Sequence, residues 1–242
     1  MRISRALTLT AATAAAALTL SAVPAQAASL SPATVADAYS VMLTPTQAKL
    51  VGIGKANIAN FGIASSTKGT PNAPWLCDLS GTATMEGKGA KNLISSEVLS
   101  LGGGNTVVTI SQEIHWFPNE KRAKKAYDGL VTKIKNCEGQ HTPAADENEG
   151  ADVAITTTLT NGEKKAKDGD AFLWINSETI MGDPTTNFAD HDYTTVRLFG
   201  NYIQLIDLES EGSNAPALTK KQIAAADRLT DSLGDAWQAK FM

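Results

Sequence analysis

Glu113 and His115 sit two residues apart in a segment that alternates apolar and polar side chains. Both therefore project from one face of a strand and can touch. A carboxylate beside an imidazole is a pairing that general acid–base catalysis uses. No nucleophile stands next to them in sequence, and Ser111 lies mid-strand in Ile-Ser-Gln without a Gly-x-Ser-x-Gly turn. The pair is expected to serve a polar, ligand-facing surface rather than turnover. Asp190-His191-Asp192 has residue types that hold metals. Adjacent strand residues point to opposite faces, however, and no second His/Cys cluster completes a set, so no metal is expected. Asp168-Gly169-Asp170 lacks the remaining ligands of a calcium loop, and Gly102-Gly103-Gly104 precedes a strand rather than a helix. No cofactor is implied.

Aromatic residues mixed with polar ones point to binding. Phe172, Trp174, Asn176 and Glu178 share one strand parity, Tyr193, Thr195 and Arg197 another, and Tyr202 and Gln204 a third. If these faces join that of Glu113 and His115, the sheet offers a cleft for a small molecule or a glycan, with Trp174, Tyr193, Arg197 and Tyr202 as its contacts. The alternative is that these aromatics belong to a core under helices. Ile203 and Leu205 are also apolar, so parity in the last strand is ambiguous.

The elements that would position these residues follow from periodicity. Val108, Ile110, Ile114 and Trp116 alternate with Thr109, Ser111, Glu113 and His115, a strand over about 105–117. Pro118-Asn119 ends it, and Asn119 can cap a helix over about 120–137. Its buried stripe is Ala123, Ala126, Tyr127, Leu130, Ile134 and Cys137, and its lysines form a solvated face. Thr44-Pro45 opens a short helix that Gly52 and Gly54 stop. Residues 64–74 read as loop, and Trp75-Leu76-Cys77 begins a strand region to about Thr84. Further strands cover about 151–160, 170–180 and 192–209, the last broken at Gly200-Asn201. Asn161-Gly162-Glu163 and Lys167-Asp168-Gly169-Asp170 carry hairpin chemistry. Thr219 with Gln222 forms a capping box for a last helix, whose apolar face is Ile223, Ala226, Leu229, Leu233 and Trp237. The order predicts an α+β fold, an antiparallel β-sheet with helices packed on one face, in a single domain with a ligand cleft.

Location is written at the start of the chain. Arg2 and Arg5, an apolar run over 6–23 and Pro24-Ala25-Gln26-Ala27 have the form of a secretory signal, cleaved near Ala27-Ala28. Residues 28–39 read as a flexible lead-in and 40–242 as the working domain, released without stable membrane insertion. With 21 Lys+Arg against 25 Asp+Glu and no basic patch, nucleic-acid binding is not expected. Two cysteines in an exported chain pair by default. A Cys77–Cys137 disulfide would close a loop of about 60 residues and contribute on the order of 4 kcal/mol.

The segments, taken in order, resemble the PknH-like extracellular sensor domain family. Leu43-Thr44-Pro45 is similar to its opening, followed by a cysteine after a proline-containing loop, from Pro74 to Cys77. Phe117-Pro118-Asn119 is similar to its aromatic-Pro corner, and Lys135-Asn136-Cys137 ends the Ala-rich helix. Gly200-Asn201-Tyr202-Ile203-Gln204-Leu205-Ile206 then precedes the C-terminal helix. The likeness spans about residues 40–240. It departs from the family in lacking a second cysteine pair and in having Lys135 where a Trp is frequent. The resemblance implies a non-catalytic, sensor-like domain with an unidentified extracellular or cell-wall-derived ligand, here as a stand-alone secreted form. A secreted hydrolase with a dispersed site and a cell-envelope interaction protein are the alternatives.

Overall fold

The computed structural model describes residues 37–54, 58–66, 92–101, 106–135, 139–141, 154–165, 171–182 and 188–241. Cys77 and Cys137, the strand expected at 75–84, the turn at 167–170 and the leader at 1–27 lie outside these residues. Eight strands form one antiparallel sheet in the order β1-β2-β3-β8-β7-β6-β5-β4. They are β1 (Ile58–Ser66), β2 (Asn92–Leu101), β3 (Thr106–Trp116), β4 (Gly139–His141), β5 (Ala154–Lys165), β6 (Ala171–Gly182), β7 (Phe188–Phe199) and β8 (Tyr202–Ser213). The helices are α1 (Pro45–Ala48), which runs on as a tight turn over Lys49–Val51, then α2 (Glu120–Lys135) and α3 (Lys220–Phe241).

The local signals explain the ends of these elements. Thr44 N donates to Gln47 Oε1 at 2.8 Å, with Pro45 in the first turn of α1 where its missing N–H costs nothing. Asn119 caps α2 by accepting from Arg122 N at 3.0 Å. At α3, Thr219 N donates to Gln222 Oε1 and Gln222 N donates to Thr219 Oγ1, the reciprocal box read from the sequence. Gly200-Asn201 turns β7 into β8, and Asn201 Nδ2 ties the turn to the Phe117 carbonyl at 2.8 Å.

The α+β class and the antiparallel sheet are as expected. The helices divide between the faces more finely than a one-sided arrangement. Tyr193, Ile206, Leu208, Ile110 and Val98 pack with Ala225, Ala226, Leu229 and Leu233 of α3 and with Leu43, Ala48 and Val51 around α1. Residues of the other parity, Leu173, Ile175, Val196, Ile203 and Leu205, pack with Ala123, Ala126, Tyr127, Leu130 and Val131 of α2. Alternate strand residues face opposite ways, so α1 and α3 cover one face and α2 covers part of the other.

Three local expectations change. Asn161-Gly162-Glu163 lies inside β5 rather than in a turn, because Gly162 pairs with Trp174 and the indole lies across it. A Cβ at Gly162 would stand 2.7 Å from Trp174 Nε1. Residues 64–66 continue β1 instead of opening a loop. Residues 37–39 are helical and Ala38 is buried beside Met42 and Trp237, so the folded core begins slightly before residue 40.

The seam between α3 and β7 is polar and regular. Tyr193 OH donates to Asp227 Oδ1 at 2.6 Å, Thr195 Oγ1 meets Thr230 Oγ1, and Arg197 Nη1 donates to the Asp231 carbonyl and to Asp235 Oδ1. Two strand residues advance about 6.8 Å and four helix residues about 6 Å, so successive rungs stay in register. Gly234 makes room for the last rung: a Cβ there would lie 2.6 Å from Arg197 Nη1. Gly234→Ala should therefore displace the guanidinium and destabilise by about 1–3 kcal/mol in chemical denaturation. Gly129→Ala, on α2 with nothing within 4 Å, should stabilise by about 0.4–1 kcal/mol. Equal effects at the two glycines would refute this account of the seam.

Candidate functional site

The six residues expected to bind ligand do not share one surface. Trp174, Tyr193, Arg197 and Tyr202 have the parity of the α3 face, whereas Glu113 and His115 have that of the α2 face. Tyr193 and Arg197 are rungs of the α3 seam, and burial together with the neighbouring Asp227 pushes the Tyr193 phenol far up. Tyr202 is buried against Trp116, Phe199 and Trp237, with ring centroids 5.3–6.0 Å away. Trp174 is half-buried and stacks on Tyr193 at 6.3 Å, with Lys164 Nζ 5.7 Å from its ring. Lys164 also donates to Asp227 Oδ2 at 2.6 Å. These groups hold the helix to the sheet.

His115 is fully buried, and its Nε2 shares a hydrogen bond with Glu113 Oε2 at 3.1 Å. Glu113 itself stays half-buried at the border of a larger feature. The α2 face is split across the strands. At one end lie the apolar residues under α2; further along the same parity lie Asp190 and Asp192 of β7 and Asp207, Glu209 and Glu211 of β8. Glu113 of β3 and Glu97 of β2 extend the acid half sideways. Register places Asp192 opposite Glu209, Asp190 opposite Glu211 and Thr194 opposite Asp207. On β2, β3, β7 and β8 this face carries no lysine or arginine.

Crowded, half-buried carboxylates hold their protons. Desolvation, then the charge of Asp192, raises Asp207 to about 8 and Glu209 to about 9. Asp190 rises to about 7, from desolvation and then the charges of Asp192 and Glu211. Thr194 Oγ1 donates to Asp207 Oδ1 at 2.7 Å and partly offsets the rise there. Asp190 Oδ1 is buried with no hydrogen-bond partner among the described residues. Asp190, Asp192 and Glu209 each bring an oxygen within 4.8 Å of the others, so one positive charge could be approached by all three. A surface of this kind can bind cations; no nucleophile–base pair is assembled on it among the described residues.

The acid half is not evident along the chain because its members belong to separate strands and form no single acidic cluster in sequence. The signal was the period of two: Asp190/Asp192 and Asp207/Glu209/Glu211 are i, i+2 series on strands that prove adjacent. His191, between the first two, points the other way and holds the connector to α3 through the Ala215 carbonyl at 3.2 Å.

An eight-stranded antiparallel sheet with helix on both faces and one acid-lined half-face defines a class of α+β fold rather than an activity. Among solved structures, the chain is similar to the extracellular domain of PknH from Mycobacterium tuberculosis. The TM-score is 0.50 at 15% identity, covering 81% of this chain and 94% of that one. That likeness is one of fold. No protein-family model and no curated protein matches the chain. No helix among the described residues is long and apolar enough to cross a membrane.

The raised carboxyls set the direction of a pH effect. Between an ordinary carboxylate value of about 4 and these higher folded-state values, the folded protein keeps protons that the unfolded chain has released. Stability should therefore fall as pH rises from about 5 to about 9. Asp207→Asn, which removes one charge without changing shape, should flatten the fall of melting temperature with pH. A melting temperature that rises over this interval would contradict the placement of these groups.

Proposed function

We propose that the chain is a secreted, sensor-like, non-catalytic binding domain whose ligand is cationic and occupies the acid half of the α2 face. The observation that carries this is the gathering of Asp190, Asp192, Asp207, Glu209 and Glu211 on one half-buried face with no basic residue of the same parity on their own strands. Folding does not need such a cluster, since each carboxyl there is lost from water and repelled by its neighbours. Perturbed groups kept at a stability cost tend to mark functional sites. The fold likeness to an extracellular sensor domain supports a binding role, and the leader-like residues 1–27 support export.

The ligand class follows from the chemistry of the face. Once they release their protons these carboxyls only accept, and several per ligand-sized area favour ammonium and guanidinium groups, which bring only donors and the complementary charge. An extracellular or cell-wall-derived molecule bearing amines fits; a neutral glycan would leave the carboxyls uncompensated. Trp174, Tyr193, Arg197 and Tyr202 have no part in this contact because the α3 seam and the aromatic core occupy them.

A tri-lysine peptide is a suitable probe. At a hundredfold excess over its Kd it should stabilise the protein by about 2.7 kcal/mol, a shift of several degrees in melting temperature. The shift should shrink in Asp192→Asn/Glu209→Gln and as pH falls through the raised carboxyl values of about 7 to 9, where protonation competes, and should persist in Trp174→Phe. Stabilisation by neutral cell-wall glycans with no response to the peptide would overturn the proposal, as would loss of the peptide effect in Trp174→Phe alone.

A further inference from the structure

The outer face of α2 is basic, and the half of its sheet face that no described helix covers is acidic. Lys121, Arg122, Lys124 and Lys125 are all exposed, on the side of the helix away from Ala123, Ala126, Tyr127 and Leu130. Lys124 shares its charge with Asp128 at 2.8 Å within the helix; no ion pair joins Lys121, Arg122 or Lys125 to another described residue. Gly129 and Thr132, both small, lie exposed further along α2 beside Asp128. The helix and the acid half lie side by side on one face of the sheet, α2 over Val196, Ile203 and Leu205 and the acids at 190, 192, 207, 209 and 211 beyond it.

We infer that this face binds a second copy of the chain, the basic side of α2 in each copy lying on the acid half of the other's sheet. The inference rests on the cationic-ligand proposal above and names the ligand. Its geometric basis is self-complementarity. Two copies placed face to face about a twofold axis superpose the basic half of one on the acid half of the other, and the same operation creates the reciprocal contact. Two α2 helices then lie side by side between two sheets. A heterologous arrangement would leave one basic and one acid half unmatched in each pair and would propagate, whereas the isologous one closes.

Charge also determines how the contact responds to conditions. The carboxyls that retain protons in one copy would release them to solvent on meeting the partner's ammonium and guanidinium groups, so association is coupled to proton release and weakens at low pH. Lys121, Arg122 and Lys125 face their partners across a rim open to solvent, so the contact is salt-sensitive and its electrostatic part acts strongly on the association rate. On β2, β3 and β7 the groups that face the acid half from its own side are Glu97, Ser111, Glu113, Thr194 and, behind Glu113, His115. None of them supplies a permanent positive charge.

Sedimentation velocity of the intact chain at neutral pH tests the inference. At low ionic strength (about 20 mM) a dimer is expected, and at about 500 mM its dissociation constant should weaken at least roughly tenfold. Lys121→Glu/Lys125→Glu should be monomeric, as should Asp192→Lys/Glu209→Lys. An equimolar mixture of the two should restore a dimer, which neither misfolding nor a generic loss of solubility would produce. Circular dichroism of each variant checks that it folds. A protein that is monomeric throughout, or a dimer untouched by salt and by both reversals, overturns the inference. If the tri-lysine peptide still stabilises a strictly monomeric protein, the second copy is the wrong ligand and the acid face remains a cation site. If neither peptide nor second copy binds, both proposals fall.

Discussion

The rungs between β7 and α3 decide what every other surface of this protein is free to do. Tyr193, Thr195 and Arg197 occupy alternate positions of a central strand, and Asp227, Thr230, Asp231 and Asp235 answer them from successive turns of one helix. Each rung places a polar group out of water, so each must be met by a partner. Gln204 of β8 adds a bond to the Thr230 carbonyl at 2.9 Å. Thr230 in turn donates to the Ala226 carbonyl, which leaves its oxygen open to Thr195. Such contacts are worth less in net stability than the apolar packing of Ala225, Ala226, Leu229 and Leu233 beside them. What they contribute is register: a helix rotated by one residue would strand Arg197 without its acceptors.

Because α3 lies on that parity, α2 is the described helix on the opposite one, and it covers only part of it. One strand records the outcome. In β8, Gln204, Ile206 and Leu208 face α3, Ile203 and Leu205 face α2, and Asp207, Glu209 and Glu211 face the half beyond α2. The change from apolar to acidic occurs between Leu205 and Asp207, and between Val196 and Asp192 on β7, along one line across the sheet. Thr194 stands on that line and steadies Asp207. The face is thus prepared, by the same alternation that builds the core, to meet positive charge. Burial that is tolerable for one carboxyl becomes a strong preference for protons when several share it, and a cation can answer that preference in place of protons.

Much of this architecture was legible in the chain. The period of two in β3, the capping residues Thr44, Asn119 and Thr219, the Gly200-Asn201 turn and the stripe Ala123-Ala126-Tyr127-Leu130 all appear where local chemistry put them. β2 was not evident, because its core-facing positions include Ser96 and Ser100 and so blur the alternation. The turn expected at Asn161-Gly162 was overridden by a tertiary contact, the Trp174 indole lying on the glycine. Candidate binding residues were the least legible. Aromatic and polar side chains of one parity suit a ligand cleft and a helix seam equally well, and only the placement of α3 distinguishes the two. The acids lay in plain view at i, i+2 spacing, but their strands are neighbours only through the β7–β8 pairing.

The most direct measurement on the acid face is an NMR titration of the Asp and Glu side-chain carboxyl carbons, with and without the tri-lysine peptide. Asp207 and Glu209 should titrate well above the ordinary carboxylate range in the free protein and move back toward it when the peptide is present. The side-chain signals of Trp174 and Tyr193 should remain unmoved. Ordinary titration of Asp207 and Glu209, indifferent to the peptide, together with peptide-induced shifts at Trp174 and Tyr193, would contradict the assignment of this face as the binding surface.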